Sequence, residues 1–313
     1  MNFTETIKDE IIKKNSGQKC CKKAFLAGFI RSTGSIVRSG GNYGFMCSTE
    51  TPSAAEYAAR LIKALYGYEG TEIFASEDKL NKKTRVDLEC IGDKPVEILF
   101  DLGIIAYDEE GAFELRLKSN RDLLKKECCK KAFIKGMFLG SGHCTVPNNS
   151  SATGYHLEVV FTHNVPASDF AEYLAEFGII AKTIVRRRSV VVYIKSAEEI
   201  SDFLALIGCP SAVLKLTEKV VEKQLNNRIN RQKNCDLANV NKQVEALEKY
   251  SQAINLIAST VGLFSLSEEL RSAAEARINY PDDTLSELAE RLNVSKSCLN
   301  HRLRRLVAIA DEL

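Results

Sequence analysis

The sequence has no tryptophan, only six prolines in 313 residues, and no apolar run that approaches the length of a membrane-spanning helix. Its first residues, MNFTETIKDEIIKKN, contain no apolar core, so a secretory signal is not expected. The formal net charge is only +2, so any surface that attracts nucleic acid has to be local. A chain of this length is expected to form two domains.

Cysteine is abundant, but the cysteines do not show the sequence spacing that is typical of metal-binding sites. None of the ten cysteines lies in a CxxC motif, and the adjacent pairs Cys20-Cys21 and Cys128-Cys129 do not suit a tetrahedral zinc site. A second group is close in sequence but fits no standard ligand spacing, namely His143, Cys144, His156 and His163. We therefore expect reduced, mostly buried thiols, no metal and no cofactor.

The first two-thirds of the chain contain an internal repeat. CCKKAFLAGFIRSTGSI begins at Cys20 and CCKKAFIKGMFLGSGHC begins at Cys128, with six identical residues at the start of each copy. Each copy continues with alternating, β-branched segments and amphipathic segments, which predict a unit of helix, two strands, helix, two strands, helix. We therefore predict an α+β domain over residues 18–208, with repeats at about 18–110 and 126–208, after an N-terminal extension over 1–17.

The repeated first helix carries small residues at every fourth position. They are Ala24, Gly28 and Ser32 in the first copy, and Ala132, Gly136 and Gly140 in the second. Such stripes let two helix backbones approach closely, so we expect these helices to pack against each other on a pseudo-two-fold axis.

The segments LAGFIRSTG (26–34) and IKGMFLGSG (134–142) resemble the LAGLIDADG signature of homing endonucleases. The resemblance implies paired interface helices and saddle-shaped sheets that lie on DNA. It also implies that the metal-binding acids of the family are replaced here by Thr33 and Ser141. Neither side chain supplies the negative charge that Mg²⁺ coordination requires, so we expect a catalytically inactive domain.

Basic residues surround one predicted hairpin of the second copy and recur in the segment that follows the repeat. The hairpin carries Lys182, Arg186, Arg187, Arg188 and Lys195 with no acid among them, which indicates either contacts to DNA phosphates or a charged strand edge that resists aggregation. Residues 209–238 are predicted to form a linker that breaks at NNRINRQKNCDLANVN. Its Arg228 and Arg231 either touch the DNA backbone or lie on a solvated hinge.

The last quarter of the chain, residues 239–313, predicts a helix-turn-helix. Thr284 and Glu287 form the pattern of a capping box, and Asn293 stands where a tight turn requires a positive φ. Ser295 is a suitable N-cap for the second helix, whose Leu299, Leu303, Leu306 and Ala310 lie on one face.

The opposite face of that second helix is polar and basic. From Arg291 to Arg305 every charge is positive, and the predicted DNA-binding residues are Ser295, Lys296, Ser297, Asn300, His301, Arg302, Arg304 and Arg305. Hydroxyl, amide, imidazole and guanidinium groups are those that read base edges in the major groove of double-stranded DNA. His301 has an alternative interpretation as a structural histidine.

The degenerate duplicated domain, the linker segment 230–239 and SKSCLNHRLRRL (295–306) together resemble the WhiA family of DNA-binding regulators. The resemblance implies a cytoplasmic, nucleoid-associated protein without a cofactor that acts in sporulation, cell division and chromosome segregation. Cys298 departs from the small residue usual in the family. Two alternatives stay open, an adaptor that binds a regulatory partner, such as another transcription regulator, and an active nuclease. The sequence does not reveal the target site, the oligomeric state, or whether the protein activates or represses.

Overall fold

The computed structural model describes residues 2–14, 17–78, 83–147 and 154–313. The chain divides into two compact units, residues 1–223 and residues 224–313. The first unit is mixed helix and sheet, and the second is helical. The predicted fold class, a duplicated α+β domain followed by an all-α domain, is confirmed.

The first unit repeats one order of elements. After α1 (Phe3–Lys14), the first copy contains α2 (Lys19–Thr33), β1 (Gly34–Ser39), β2 (Asn42–Thr49), α3 (Pro52–Tyr66), β3 (Glu72–Asp78), β4 (Lys83–Ile91) and α4 (Asp93–Asp101). A short hairpin follows, β5 (Ile105–Tyr107) and β6 (Phe113–Leu115). The second copy contains α5 (Glu127–Ser141), β7 (Gly142–Thr145), β8 (His156–Phe161), α6 (Asn164–Glu176), β9 (Lys182–Arg186), β10 (Ser189–Ile194) and α7 (Ala197–Leu206).

The two four-stranded sheets have the same topology. Their strand orders are β1-β2-β4-β3 and β7-β8-β10-β9, and every pairing is antiparallel. Equal strand order in both halves confirms the duplication that the sequence repeat predicts. In each sheet the first strand begins directly after the repeated helix, so the last residues of α2 and α5 lie at the sheet edges.

Two glycines allow α2 and α5 to pack with their backbones in contact. A Cβ atom on Gly28 would lie 2.2 Å from the carbonyl oxygen of Phe133, and a Cβ atom on Gly136 would lie 2.0 Å from the carbonyl oxygen of Phe25. Real Cβ atoms almost never come closer than 3.0 Å to another heavy atom. The two contacts are reciprocal, as a pseudo-two-fold axis requires, and the expectation drawn from the small-residue stripes is confirmed.

The N-terminal extension is part of the core of the first unit. Ile7 and Ile11 of α1 are fully buried, and the charged Lys8 and Glu10 are buried beside them. The Glu10 carboxylate accepts hydrogen bonds from the backbone N–H groups of residues 211 and 212, at 3.1 Å each. It therefore caps the helix that begins there.

That helix, α8 (Pro210–Thr260), is continuous through the segment predicted to break. The prediction of a turn at NNRINRQKNCDLANVN was wrong because this segment contains no proline or glycine. Asparagine in a helix costs only about 0.7 kcal/mol relative to alanine, which neighbouring helical turns offset. The boundary between the two compact units, 223/224, falls inside α8.

The second unit has one small core. After α8 come a 3₁₀ turn (Leu263–Ser265), α9 (Glu268–Asn279), α10 (Leu285–Arg291) and α11 (Lys296–Asp311). Apolar residues of α8, α9, α10 and α11 form the core, among them Ile254, Ile257, Ala273, Leu288 and Leu303.

Candidate nucleic-acid interface

The helix α10 begins and ends where the sequence predicts. Thr284 accepts a hydrogen bond from the N–H of Glu287, and the Glu287 carboxylate accepts one from the N–H of Thr284 at 2.7 Å, which completes a capping box. Asn293 has a φ of 51°, the left-handed conformation that a tight turn between two helices needs. The turn is followed by Ser295, whose hydroxyl accepts from the N–H of Cys298 at 3.2 Å and starts α11.

One face of α11 is fixed in the core of the second unit. Leu299, Leu303 and Leu306 are no more than 1% exposed, and Ala289 of α10 is buried close to them. These residues follow each other at steps of four and three, which is the period of one helix face. The helix can therefore present only its opposite face to a ligand.

The opposite face of α11 is exposed, and it carries no acid from Lys296 to Ala310. Ser297, His301 and Arg304 are exposed at steps of four and three, so their side chains lie along one line of the helix. Lys296 and Arg305 flank this line and are also exposed, as is Ser295 before the first turn. We call the set of Ser297, His301 and Arg304 with Lys296 and Arg305 the α11 face.

Two predicted DNA-binding residues do not lie on the α11 face. Asn300 is half-buried, and its amide oxygen accepts a hydrogen bond from the hydroxyl of Tyr250 at 3.1 Å. The side chain of Arg302 is only 16% exposed, and its Nη2 lies 3.7 Å from a carboxylate oxygen of Glu269 in α9. Both side chains turn toward other helices of the same unit, which argues against direct base contacts from Arg302. The sequence did not reveal this because it does not show how α9 and α11 cross.

The basic hairpin between β9 and β10 is also exposed. Arg187 stands at its turn with a φ of 52°, and Arg188 and Arg186 lie on either side. Arg186 makes an ion pair at 3.3 Å with Glu158 of β8, so its charge is partly neutralised. Arg228 and Arg231 are exposed on α8.

The ends of α2 and α5 line a polar cleft at the positions where the LAGLIDADG resemblance places metal-binding acids. Thr33 and Ser141 are both in its wall, with Gly140, His143 and Arg188 among the other residues. The Thr33 hydroxyl donates to the carbonyl oxygen of Phe29 at 2.7 Å, within its own helix. The structure thus brings the two hydroxyl residues, which are the last residues of α2 and α5, to one place.

Four charged residues in this cleft were not singled out in the sequence, namely Lys8, Glu50, Arg85 and Glu158. Glu50 lies between β2 and α3, and its carboxylate oxygen is 3.3 Å from Nε2 of His143. Lys8 of α1 reaches the same cleft and donates to the hydroxyl of Thr51 at 3.1 Å. Burial lowers the pKa of Lys8 to about 8, against the opposing attraction of Glu50. Glu158 also lines the cleft, with His156 at 2.8 Å and Arg186 at 3.3 Å. The carboxylates here are therefore matched by nearby basic groups.

Three cysteine side chains that could bind a metal lie close together, although the sequence analysis did not expect a metal site there. Among the described residues, the ligand atoms that converge in a group of three are the thiols of Cys20, Cys21 and Cys129, all within 4.8 Å of one another. The group of His143, Cys144, His156 and His163 does not converge in this way. Within the residues that the structure describes, no helix is long and apolar enough to span a membrane.

Family models match nearly the whole chain. The WhiA N-terminal LAGLIDADG-like domain matches residues 19–105, the WhiA LAGLIDADG-like domain matches 130–226, and the WhiA C-terminal HTH domain matches 229–310. The chain is 36% identical to the probable cell division protein WhiA of Heliobacterium modesticaldum, over 99% of this chain and 96% of that protein. It is 34% identical to the protein of the same name from Bacillus cytotoxicus, over 100% and 97%.

A solved structure shares the fold over the full length. The crystal structure of full-length WhiA from Thermatoga maritima superposes with a TM-score of 0.58 and 24% identity, over 100% of this chain and 99% of that one. At this identity the likeness concerns the fold, while the sequence matches decide the family. Two LAGLIDADG-like domains followed by a helix-turn-helix domain, in one chain with these relatives, show that the chain belongs to the WhiA family.

Proposed function

We propose that this chain is a DNA-binding regulator that reads double-stranded DNA by inserting α11 into the major groove. The observation that carries the proposal is the α11 face, where Ser297, His301 and Arg304 lie in one line and are exposed, with no acid in the helix before Asp311. A major groove about 12 Å wide admits one α-helix, and these side chains match the donors and acceptors of base edges. Lys296 and Arg305 are placed to neutralise phosphates on either side of the groove.

The arginines of α11 provide a matched test of this proposal. A preferred site is first selected from random duplex DNA with the full-length chain. Arg304→Met should weaken binding to that site by about 5- to 150-fold, because a lost bidentate base contact costs about 1–3 kcal/mol. Arg302→Met removes the same charge from the same helix but from a side chain that faces α9. It should leave the affinity close to that of the wild type.

The comparison of specific and nonspecific DNA separates base reading from backbone contact. Fluorescence anisotropy is measured on the selected site and on a scrambled duplex at several salt concentrations. If Arg304→Met weakens both duplexes equally and only lowers the salt dependence, Arg304 touches phosphate and the base-reading assignment is wrong. If Arg302→Met loses as much specific binding as Arg304→Met, the assignment of the α11 face is wrong.

We infer that the duplicated domain does not cleave DNA. Thr33 and Ser141 replace the acids at the ends of α2 and α5, and the carboxylates of Glu50 and Glu158 lie next to basic side chains. A hydrolytic Mg²⁺ site needs carboxylates that are available to the metal. Incubation of the purified chain with supercoiled DNA and Mg²⁺ or Mn²⁺ should produce no nicked product, and metal-dependent nicking would overturn this inference.

The names of the relatives extend the proposal to cell division. Two relatives similar over the full chain are named as probable cell division proteins, so we propose that the genes regulated here serve division and, where it occurs, sporulation and chromosome segregation. Such a protein would be associated with the nucleoid. Genome-wide mapping of bound sites tests this, and enrichment away from such genes would contradict it.

The hairpin favours a second role for the duplicated domain. Arg187 and Arg188 are exposed beside Ile184 and Val185 of β9, which are 44% and 69% exposed. A surface that is both cationic and apolar suits a protein partner as well as DNA. Replacing Arg187 and Arg188 with Ser should reduce DNA affinity and its salt dependence if they contact phosphates. Unchanged DNA binding would favour an adaptor that holds another regulator.

A further inference from the structure

The cysteines that the two sequence copies share meet in space. Cys20 and Cys21 lie in the first turn of α2, and Cys128 and Cys129 lie in the first turn of α5. Because Gly28 and Gly136 bring the two backbones into contact, the first turns of the two helices come together as well. The Sγ atoms of Cys20, Cys21 and Cys129 then lie within 4.8 Å of one another.

The sulfur positions suit a thiophilic metal ion. A tetrahedral zinc with Zn–S bonds of about 2.3 Å holds its sulfur atoms about 3.8 Å apart. Small side-chain rotations can bring the three sulfur atoms from their observed separations, all within 4.8 Å, to this distance. The cysteines are not joined as disulfides, so their sulfur atoms are available. Cys20 and Cys21 are half-buried and Cys129 is buried, a degree of enclosure that is typical of structural metal sites.

The three cysteines lie at the N-terminal ends of two helices. A divalent ion that binds thiolates would displace the thiol protons and compensate the repulsion between the sulfur atoms. The positive ends of α2 and α5 stabilise negative sulfur at the same place.

We propose that Cys20, Cys21 and Cys129 bind one soft metal ion of the Zn²⁺ class at the paired first turns of α2 and α5. Cys128 is exposed, adjacent to Cys129 in sequence and close to Cys21, so it is the available fourth ligand. The ion would connect the two copies of the repeat at the end of their shared helices opposite the polar cleft. This site is independent of the α11 face, and its presence or absence leaves the proposed DNA reading untouched.

Cobalt serves as the spectroscopic probe. The full-length chain is reduced, stripped with a chelator and titrated anaerobically with Co²⁺, which gives sulfur-to-metal charge-transfer bands and tetrahedral visible bands when thiolates bind it. One equivalent should bind, and Zn²⁺ should displace it and bleach the bands, because cysteine-rich sites prefer Zn²⁺. Competition with a chromophoric chelator then gives the Zn²⁺ affinity.

Serine variants identify the ligands. Cys20→Ser should weaken Zn²⁺ binding by about 100-fold or more, since loss of even an outer-shell partner costs 10–100-fold. Cys21→Ser should behave in the same way. The control is Cys235→Ser, whose thiol is exposed on α8 in the other compact unit and should bind metal like the wild type. Circular dichroism confirms that each variant retains its helices before the metal is added.

Three results would overturn the proposal. The first is a wild-type chain that gives no cobalt charge-transfer band. The second is a folded Cys20→Ser or Cys21→Ser variant with wild-type Zn²⁺ affinity. The third is a Cys235→Ser variant that loses the metal to the same extent as Cys20→Ser, which would place the ion elsewhere.

Discussion

Gly136→Ala tests whether backbone contact between α2 and α5 determines the stability of the duplicated domain. The added Cβ would lie 2.0 Å from the carbonyl oxygen of Phe25, 2.9 Å from its carbonyl carbon and 3.0 Å from the backbone nitrogen of Phe29. The oxygen belongs to the backbone and cannot rotate away. The helices must therefore separate by about 1 Å, which forfeits a quarter to a half of the dispersion energy of the contacts across them.

The size of the effect follows from two opposing contributions. Overpacking of a core costs about 1–3 kcal/mol, and an immovable backbone contact belongs at the upper end of that range or beyond it. Alanine in place of glycine favours the helix by about 1 kcal/mol. We expect a net loss of about 2 kcal/mol or more in the free energy of unfolding.

Gly140→Ala is the matched control on the same helix. It gains the same helix propensity, but its Cβ would meet the side-chain ends of Ser32, at 2.4 Å, and Thr33, at 2.6 Å. These ends can turn aside, so the loss should be at most about 1 kcal/mol. Urea unfolding of the full chain is followed by far-UV circular dichroism. The reasoning is refuted if Gly136→Ala unfolds at the same urea concentration as Gly140→Ala, or at a higher one.

Two further predictions concern a buried charge and a helix cap. The folded chain holds the proton of Lys8 less tightly than the unfolded chain, so this group should raise wild-type stability, measured relative to Lys8→Met, by at most about 3 kcal/mol between pH 8 and 10.5. Lys8→Met should be at least as stable at pH 7 and should lack this part of the rise, and parallel pH profiles for both proteins would contradict the assignment. Thr284→Ala should lower the free energy of unfolding of the second unit by about 1 kcal/mol, because it removes the capping box of α10. Thermal unfolding measures this loss. Ser286→Ala, at an exposed position of the same helix, should cost much less.

Local signals made the helix-turn-helix predictable. The cap at Thr284, the turn residue Asn293 and the cap at Ser295 each act within four residues of their partners, and the structure has all three. The repeat was predictable for another reason, because a repeated sequence folds into a repeated unit whatever its strand register is. Both features depend on information that lies along the chain.

The remaining features depend on contacts between distant segments. The sequence analysis separated residues 1–17 as an N-terminal extension, yet Ile7 and Ile11 of α1 belong to the core of the first unit and Lys8 and Glu10 are buried. The placement of Arg302 depends on Glu269 and the crossing of α9 with α11. The cysteine cluster escaped detection because ligand-spacing rules search one segment at a time, whereas its members come from both copies.

The contact of Gly28 and Gly136 also bears on how the two copies can diverge. Each helix forms one side of the same interface. A larger residue in one helix therefore requires the other helix to move away. The strands are under a weaker mutual constraint, since each sheet is hydrogen-bonded only within its own copy. This difference agrees with the sequence, in which the start of the repeated helix is still identical in both copies while the strands have drifted apart. A duplicated protein of this kind keeps its ancestral symmetry longest where its halves touch.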